Sequence, residues 1–450
     1  MKKTAAQTIG TDPAGVGRRM HDRVRELFPI PRSITGNGTR ETLRRIGSWI
    51  PLDIHEVPSG TRVFDWTVPD EWNVREAWIE TPGGDRIADF HVSNLHLLGY
   101  SVPVRCRTTL GELRDHLYTI PEQPDRIPYR TSYYQRRWGF CLRHDTLVTL
   151  PEGDYEVRID ATLGPGSLSY GECTVPGESE EEILVSTHVC HPSLANDNLS
   201  GIVVAAALAE AVAAAPRRYS YRFLFVPGTI GPITWLARNR EAAGRIRHGL
   251  VLACVGDAGA PTYKRTRRGD REIDQAVEHV LTTESPARRV RDFSPYGYDE
   301  RQYGSPGFDL PVGCFMRTPY GEYPEYHTSA DDADLVRPEA LEDTLRLCRS
   351  VFGALEGNGR YLNINPYCEP QLGRRGLYDT VGGRSPDSED RSALLWVLNQ
   401  SDGEHSLLDI AGRAGLPFAT IRRAADRLMD HELLQPDGTG YGKAVPRAWE

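Results

Sequence analysis

The sequence predicts an α/β protein: a mixed, mostly parallel sheet sandwiched by helices, interrupted by a β-rich insertion and followed by a winged-helix domain. Three observations predict it. Ile183 to Ala206 reads ILVSTHVCHPSLANDNLSGIVVAA, a strand, a polar loop and an apolar helix in succession. From there to about residue 355, apolar runs of strand length alternate with helical patterns, as the crossover units of a parallel sheet require. After residue 357 the periodicity is lost, and it returns as three short helices from residue 392.

At 450 residues the chain exceeds one simple core, so two or three domains are expected. A net charge of −9 gives no electrostatic case for nucleic acid or anionic lipid. Eight cysteines are scattered without a CxxC pair, which reads as reduced thiols rather than a disulfide frame or a zinc ribbon. Lys2 and Lys3 are followed by no apolar leader, and no run approaches the length of a membrane span. The expectation is a cytoplasmic protein without a membrane partner.

Taken in order, residues 15–50 predict two amphipathic helices, Gly17 to Phe28 and Arg40 to Ile50, separated by a PRSITG turn. From about Pro58 to Asp160 the chain turns to short runs rich in Trp, Val and Thr with polar alternation, a β-rich region with many turns. Its aromatics, Trp66, Trp72, Trp78, Tyr133, Tyr134 and Trp138, suit packing better than a ligand surface. Further strands are expected at Tyr221–Pro227, Gly249–Val255 and Pro311–Met316. Helices are expected through Ile233 and Leu236, around Ile273–Leu281, and over Arg337–Leu355. Residues 357–390 gain Gly, Pro, Arg and Asp, a linker signature. Three helices and a β-like tail, TGYGKAVPRAW, then complete a winged-helix pattern.

These textures divide the chain into a discontinuous α/β domain (15–58 and 161–360), an inserted β-rich lid (59–160), a linker (361–390) and a winged helix (391–450). In the third helix of the winged domain, Arg422, Arg423 and Arg427 are offset by Asp426, Asp430 and Glu432. Phosphate binding needs a net positive surface, so docking or assembly into a homo-oligomer is expected there rather than DNA binding.

Chemistry is expected where open α/β sheets place it, in loops at the carboxyl ends of strands. His188 and Asp197 lie in such a loop. An imidazole and a carboxylate there suit a borderline cation such as Zn²⁺. The blander reading is a hydrogen-bonded histidine and a helix-capping Asp. Asp257 follows GLVLACVG and is either a capping residue or a ligand. His327 lies in YPEYHTSADDAD, and Asp299, Glu300 and Arg301 in YGYDERQYGSPGFDLP. His191 suits orienting a ligand better than being one. Cys190 suits packing better than metal binding as a thiolate.

Together HVCHPSLANDNLSG, the strand before Asp257 and YHTSADD resemble the binuclear zinc aminopeptidase fold that also hosts glutaminyl cyclases. More narrowly the chain resembles aminopeptidase-like proteins with an inserted β-rich domain and a C-terminal winged helix. THVCHP, YKRTRRGD, DERQYGSPGFDLPV, YPEYHTS and LLWVLNQSDGEHSLLDIA carry this. The resemblance implies that His188 and Asp257 bind one metal, His327 the other, and that Asp197 bridges.

It also implies a Glu-Glu pair after the strand YRFLFVP, the first Glu serving as base and the second as ligand. Gly228 and Thr229 stand there instead. Neither can take a proton from water at neutral pH or offer a carboxylate. One zinc at His188, Asp197 and Asp257 is therefore expected, with a second left open. A stand-in carboxylate is expected among Glu300, Asp299, Glu322 and Glu325, with Glu300 first.

The expected activity is zinc-dependent hydrolysis of a small amide or short peptide bearing a free amino group. The alternatives are a repurposed member acting on an amino-acid-like molecule without peptidase activity, and a DNA-binding regulator.

Overall fold

The computed structural model of the chain describes residues 15–377 and 388–438. At its centre is an eight-stranded mixed sheet. From one edge its strands are Asp53–Pro58, Ser167–Val175, Ser220–Val226, Glu182–His188, Ile246–Leu252, Val312–Met316, Thr262–Lys264 and Arg289–Arg291. The four strands from Ser220–Val226 to Val312–Met316 run parallel, and antiparallel pairings flank them.

Glu182–His188 lies inside this parallel block, and every one of its residues is buried. Ile183 and Val185 join the core on one face and Leu184 the core on the other, which is why the run reads as continuously apolar. The first face is covered by Val16–Leu27, Ser200–Ala214, Glu272–Glu284 and Pro338–Gly357, and the second by the insertion and Ile230–Arg238.

One segment has the length and apolar composition of a membrane span, but it is not one continuous helix, since Asp197 and Asn198 are non-helical and the helix proper is Ser200–Ala214. Ala195–Ala214 spans 20 residues with mean hydropathy 1.4, but 78% of that window is buried inside the fold. It is a core helix, apolar all round because sheet and helices surround it.

The insertion carries a four-stranded antiparallel sheet, in the order Arg86–Asp89, Glu71–Glu80, Asp154–Gly164, Val104–Thr109. Arg40 pins its entry and exit. Its guanidinium donates to Glu56 at 3.0 Å and to Glu71 Oε1 at 2.8 Å, while Glu71 Oε2 accepts the Ser167 N–H at 2.9 Å. One cation thus ties the second helix, the edge strand, and both ends of the insertion. A second stitching joins residues 126–129 to 324–329. Tyr129 N–H donates to the His327 carbonyl at 2.8 Å, and Ser329 N–H to the Ile127 carbonyl at 2.8 Å.

The expected linker is not a free spacer over its described part. Arg360–Asn363 is a strand paired with Asp402–Ser406 and Leu434–Pro436. Leu372 and Leu377 are buried in the main core, since apolar side chains there find a surface to cover. Residues 378–387 and the tail 439–449 lie outside the described residues. The three C-terminal helices are Ser388–Gln400, Leu407–Ala414 and Phe418–Asp430. Leu394, Val397 and Ile421 share one core with Val351 and Leu355 of the long helix. Arg422 of the third helix donates to the Gly357 carbonyl at 3.0 Å and to Tyr361 Oη at 2.8 Å, so it faces inward.

The Arg40 hydrogen bond holds the Glu71 carboxyl at about 2, below its ordinary 4.5, against the opposing effect of burial. A depressed acid stabilises the fold above its unfolded pKa, and that stability is lost as pH falls through the folded value. Glu71→Gln is expected to cost roughly 1–3 kcal/mol near neutral pH. Urea midpoints of both proteins should converge as pH falls from 4.5 to about 2.

Candidate metal and catalytic centre

The strand Glu182–His188 ends by delivering His188 to the sheet's carboxyl edge. The following loop doubles back and places Asp197 against it, with His188 Nε2 2.9 Å from Asp197 Oδ1. His327, on the segment stitched to the insertion, brings its Nε2 to 2.9 Å from Asp197 Oδ2. Both oxygens of one fully buried carboxylate thus face imidazoles from distant stretches. Burial works against the charged Asp197. His191 and the hydrogen bonds from His188 and His327 outweigh it and hold the carboxyl well below the usual range.

Asp331 fixes the loop that carries Asp197. It is 0% exposed and accepts the N–H groups of Asn196 at 2.6 Å and Asp197 at 3.0 Å. Burial, then the neighbouring Asp197 charge, pushes its carboxyl up to about 8. Tyr298 stacks on the His188 ring at 5.1 Å, and its hydroxyl lies 3.4 Å from Asp197 Oδ1 and 2.9 Å from Cys254 Sγ. From the insertion, Tyr129 meets the His191 and His327 rings edge-on, both at 5.1 Å.

His188, His191 and Asp197 offer ligand atoms that all lie within 4.8 Å of one another, so these three could hold a metal ion. Imidazole nitrogen and carboxylate oxygen are donors that suit zinc. Burial pushes the His191 imidazole down to about 3 and the Cys190 thiol up to about 12. Cys190 is a thiol, its Sγ accepting the Gly228 N–H at 3.3 Å.

Asp257 is not part of this group. Its Oδ1 accepts from Gly259 N–H and Thr318 Oγ1, both at 2.6 Å. Its Oδ2 accepts from Asn196 Nδ2 at 3.0 Å and Thr318 N–H at 3.1 Å. The strand ends at Leu252 and the chain turns at Cys254, φ 51°. Its carboxylate holds loops together instead.

The vacant Glu-Glu position is a γ-turn. Ile230 N–H donates to the Gly228 carbonyl at 2.8 Å, and Thr229 sits at φ 63°, ψ −68°. That conformation is strained for a β-branched residue. Thr229 N–H donates to Asp299 Oδ1 at 2.7 Å. Asp299 Oδ2 is buried without a hydrogen-bond partner. Burial, moderated by His188, pushes this carboxyl up to about 6.

Glu300 points elsewhere. It forms an ion pair with Lys264 at 2.8 Å, both side chains being almost fully buried. Asp299, not Glu300, abuts the vacant position. Glu322 pairs with Arg291 at 2.5 Å and Glu325 with Arg126 at 3.8 Å.

Sequence reasoning missed Tyr129, Tyr298 and Asp331, which reach the site by long-range packing. His191 had one usable signal, its H-x-x-H spacing with His188.

Comparisons with known proteins agree with this architecture. A family profile described as a domain of unknown function, DUF4910, matches residues 21–358, and one described as winged helix-turn-helix matches residues 359–436. A Clostridium acetobutylicum protein described as a polysaccharide biosynthesis protein with aminopeptidase-like domain is 52% identical over 419 residues, covering 93% of this chain and 96% of its own. A crystal structure from Clostridium acetobutylicum, described as a peptidase, superimposes with TM-score 0.90 at 50% identity, over 94% of this chain and 97% of that one. A zinc aminopeptidase from Bacillus subtilis shares the fold at TM-score 0.55 and 14% identity, over 76% and 94% of the two chains. This chain belongs to the family described as domain of unknown function DUF4910, built on the fold of the zinc aminopeptidases and ending in a winged helix-turn-helix.

Proposed function

We propose that this protein is a zinc-dependent hydrolase of a small amide or short peptide carrying a free amino group. The observation that carries this reading is the convergence of His188 and His327, at 2.9 Å each, on the two oxygens of Asp197. When bound, zinc supplies Lewis-acid polarisation of a carbonyl and lowers the pKa of water. The rest falls to the chain's own side chains. Asp299 takes the place of the missing Glu as proton acceptor, with Oδ1 held by Thr229 N–H and Oδ2 left without a partner. Its pKa of about 6 suits a base working near neutral pH. Tyr298 stacks on His188, and Tyr129 packs edge-on against His191 and His327.

A second reading rests on Gly228 and Thr229. Without the Glu-Glu pair, the pocket serves a repurposed reaction on an amino-acid-like or amino-sugar-like amide. The description of the Clostridium acetobutylicum relative as a polysaccharide biosynthesis protein favours a sugar-borne substrate within that class. The winged helix acts as a docked structural module in both readings. Its Arg422 is spent on Gly357 and Tyr361, which weighs against DNA binding.

Zinc-loaded protein is expected to hydrolyse members of a panel of aminoacyl anilides and small amides. Asp299→Asn should lower kcat roughly 10²–10⁴-fold, the usual loss for a general base. Glu300→Gln should instead lower stability by roughly 3–5 kcal/mol, because it strands Lys264 in the interior. Thermal unfolding beside the kinetic assay separates the two. An Asp299→Asn enzyme with unchanged kcat excludes Asp299 as the base.

A Cβ at residue 228 would meet only Cys190 Sγ at 3.5 Å and His188 Cβ at 3.7 Å, ordinary contacts. Gly228→Glu is therefore expected to fold. Peptide-anilide hydrolysis present in Gly228→Glu but absent from the parent would favour the repurposed reading.

A further inference from the structure

The binuclear ligand set of the fold does not fit this chain, and the mismatch points to a different set. Two carboxylates are missing at Gly228 and Thr229. A third, Asp257, already accepts four hydrogen bonds between 2.6 and 3.1 Å from its own loops. Of the carboxylates that the zinc aminopeptidase resemblance requires, Asp197 alone faces imidazoles.

His191 stands at the centre of what remains. Its ring centroid is 4.8 Å from that of His188 and 5.3 Å from that of His327. Its ligand atom shares a 4.8 Å cluster with those of His188 and Asp197. Its Nδ1 contacts Cys190 Sγ at 3.7 Å, so Nε2 is the nitrogen left for a cation. The backbone is held too, for Arg32 Nε donates to the His191 carbonyl at 2.8 Å. Tyr129 packs against the ring at 5.1 Å. A ligand fixed from behind in this way costs little further ordering when it binds a metal.

We infer that this protein binds one divalent cation, not two, through His188, His191 and Asp197. Two imidazole nitrogens and one carboxylate oxygen favour zinc or cobalt over magnesium and calcium, which require mostly oxygen donors. The inference rests on the proposed metal-dependent reading of the site but concerns only ligand identity and number.

The test is metal content of the full chain, stripped with a chelator and reloaded with zinc or cobalt. Elemental analysis is expected to give one equivalent per chain, and excess magnesium should not displace it. The cobalt form of the unmutated protein reports its ligand field by visible absorption. His191→Ala should weaken zinc binding by roughly 100-fold or more and change that spectrum. Asp257→Asn, checked for folding by circular dichroism, should keep one equivalent and the parental spectrum.

Two equivalents per chain, no tight equivalent, or a His191→Ala spectrum and affinity equal to the parent's would overturn the inference. So would loss of metal from folded Asp257→Asn. One bound zinc with no amide hydrolysis would sink the hydrolase reading and leave this one standing. Hydrolysis requiring two metals would do the reverse.

Discussion

The site depends on keeping one carboxylate charged in the interior. Asp197 is fully buried, and an isolated carboxylate there would be costly enough to neutralise itself. His188 and His327 prevent that, with His191 adding to the favourable field. Asp331 performs the complementary task by holding the loop through backbone N–H groups. Two acidic groups so close cannot both ionise freely, and their environments push them apart in opposite directions. Asp197 keeps its charge because imidazoles face it, whereas Asp331 meets only neutral amides, a tyrosine and its charged neighbour.

Much of the frame was legible in the sequence because it is written in local periodicity. The doubly apolar run before His188, the Ala-rich helix after it and the alternating strands and helices follow from burial on two faces. The helices expected over Gly17–Phe28 and Arg337–Leu355 fall within two residues of the observed Val16–Leu27 and Pro338–Gly357. The site was legible only in part. His188, Asp197 and His327 do meet. The strand before Asp257 stops at Leu252, earlier than the apolar pattern suggests, and a turn at Cys254 follows. Choosing between Asp299 and Glu300 needed the side-chain directions of adjacent residues, which a one-dimensional pattern does not carry. Tyr129 reaches the cluster across nearly two hundred residues of chain, through packing alone.

The winged helix belongs to the same body of packing. Its apolar residues are continuous with the long helix Pro338–Gly357, and Arg422 reaches into the joint. In a DNA reader the third helix presents its basic residues outward to phosphates and bases. Here one of them instead satisfies a helix-terminal carbonyl and a tyrosine hydroxyl. The strand Arg360–Asn363 completes the small sheet from what composition alone marks as spacer, so the last helix of the α/β unit and the first strand of the winged unit abut directly.

The seam between residues 126–129 and 324–329 has a mechanical consequence. A cover hinged on a flexible arm can swing aside and leave the ligands behind it undisturbed. This cover shares main-chain hydrogen bonds with the very residue that presents an imidazole, His327. Any excursion of the insertion large enough to part that seam also draws on the segment that carries His327. Movement of the insertion and the placement of that imidazole against Asp197 are coupled through the same few bonds.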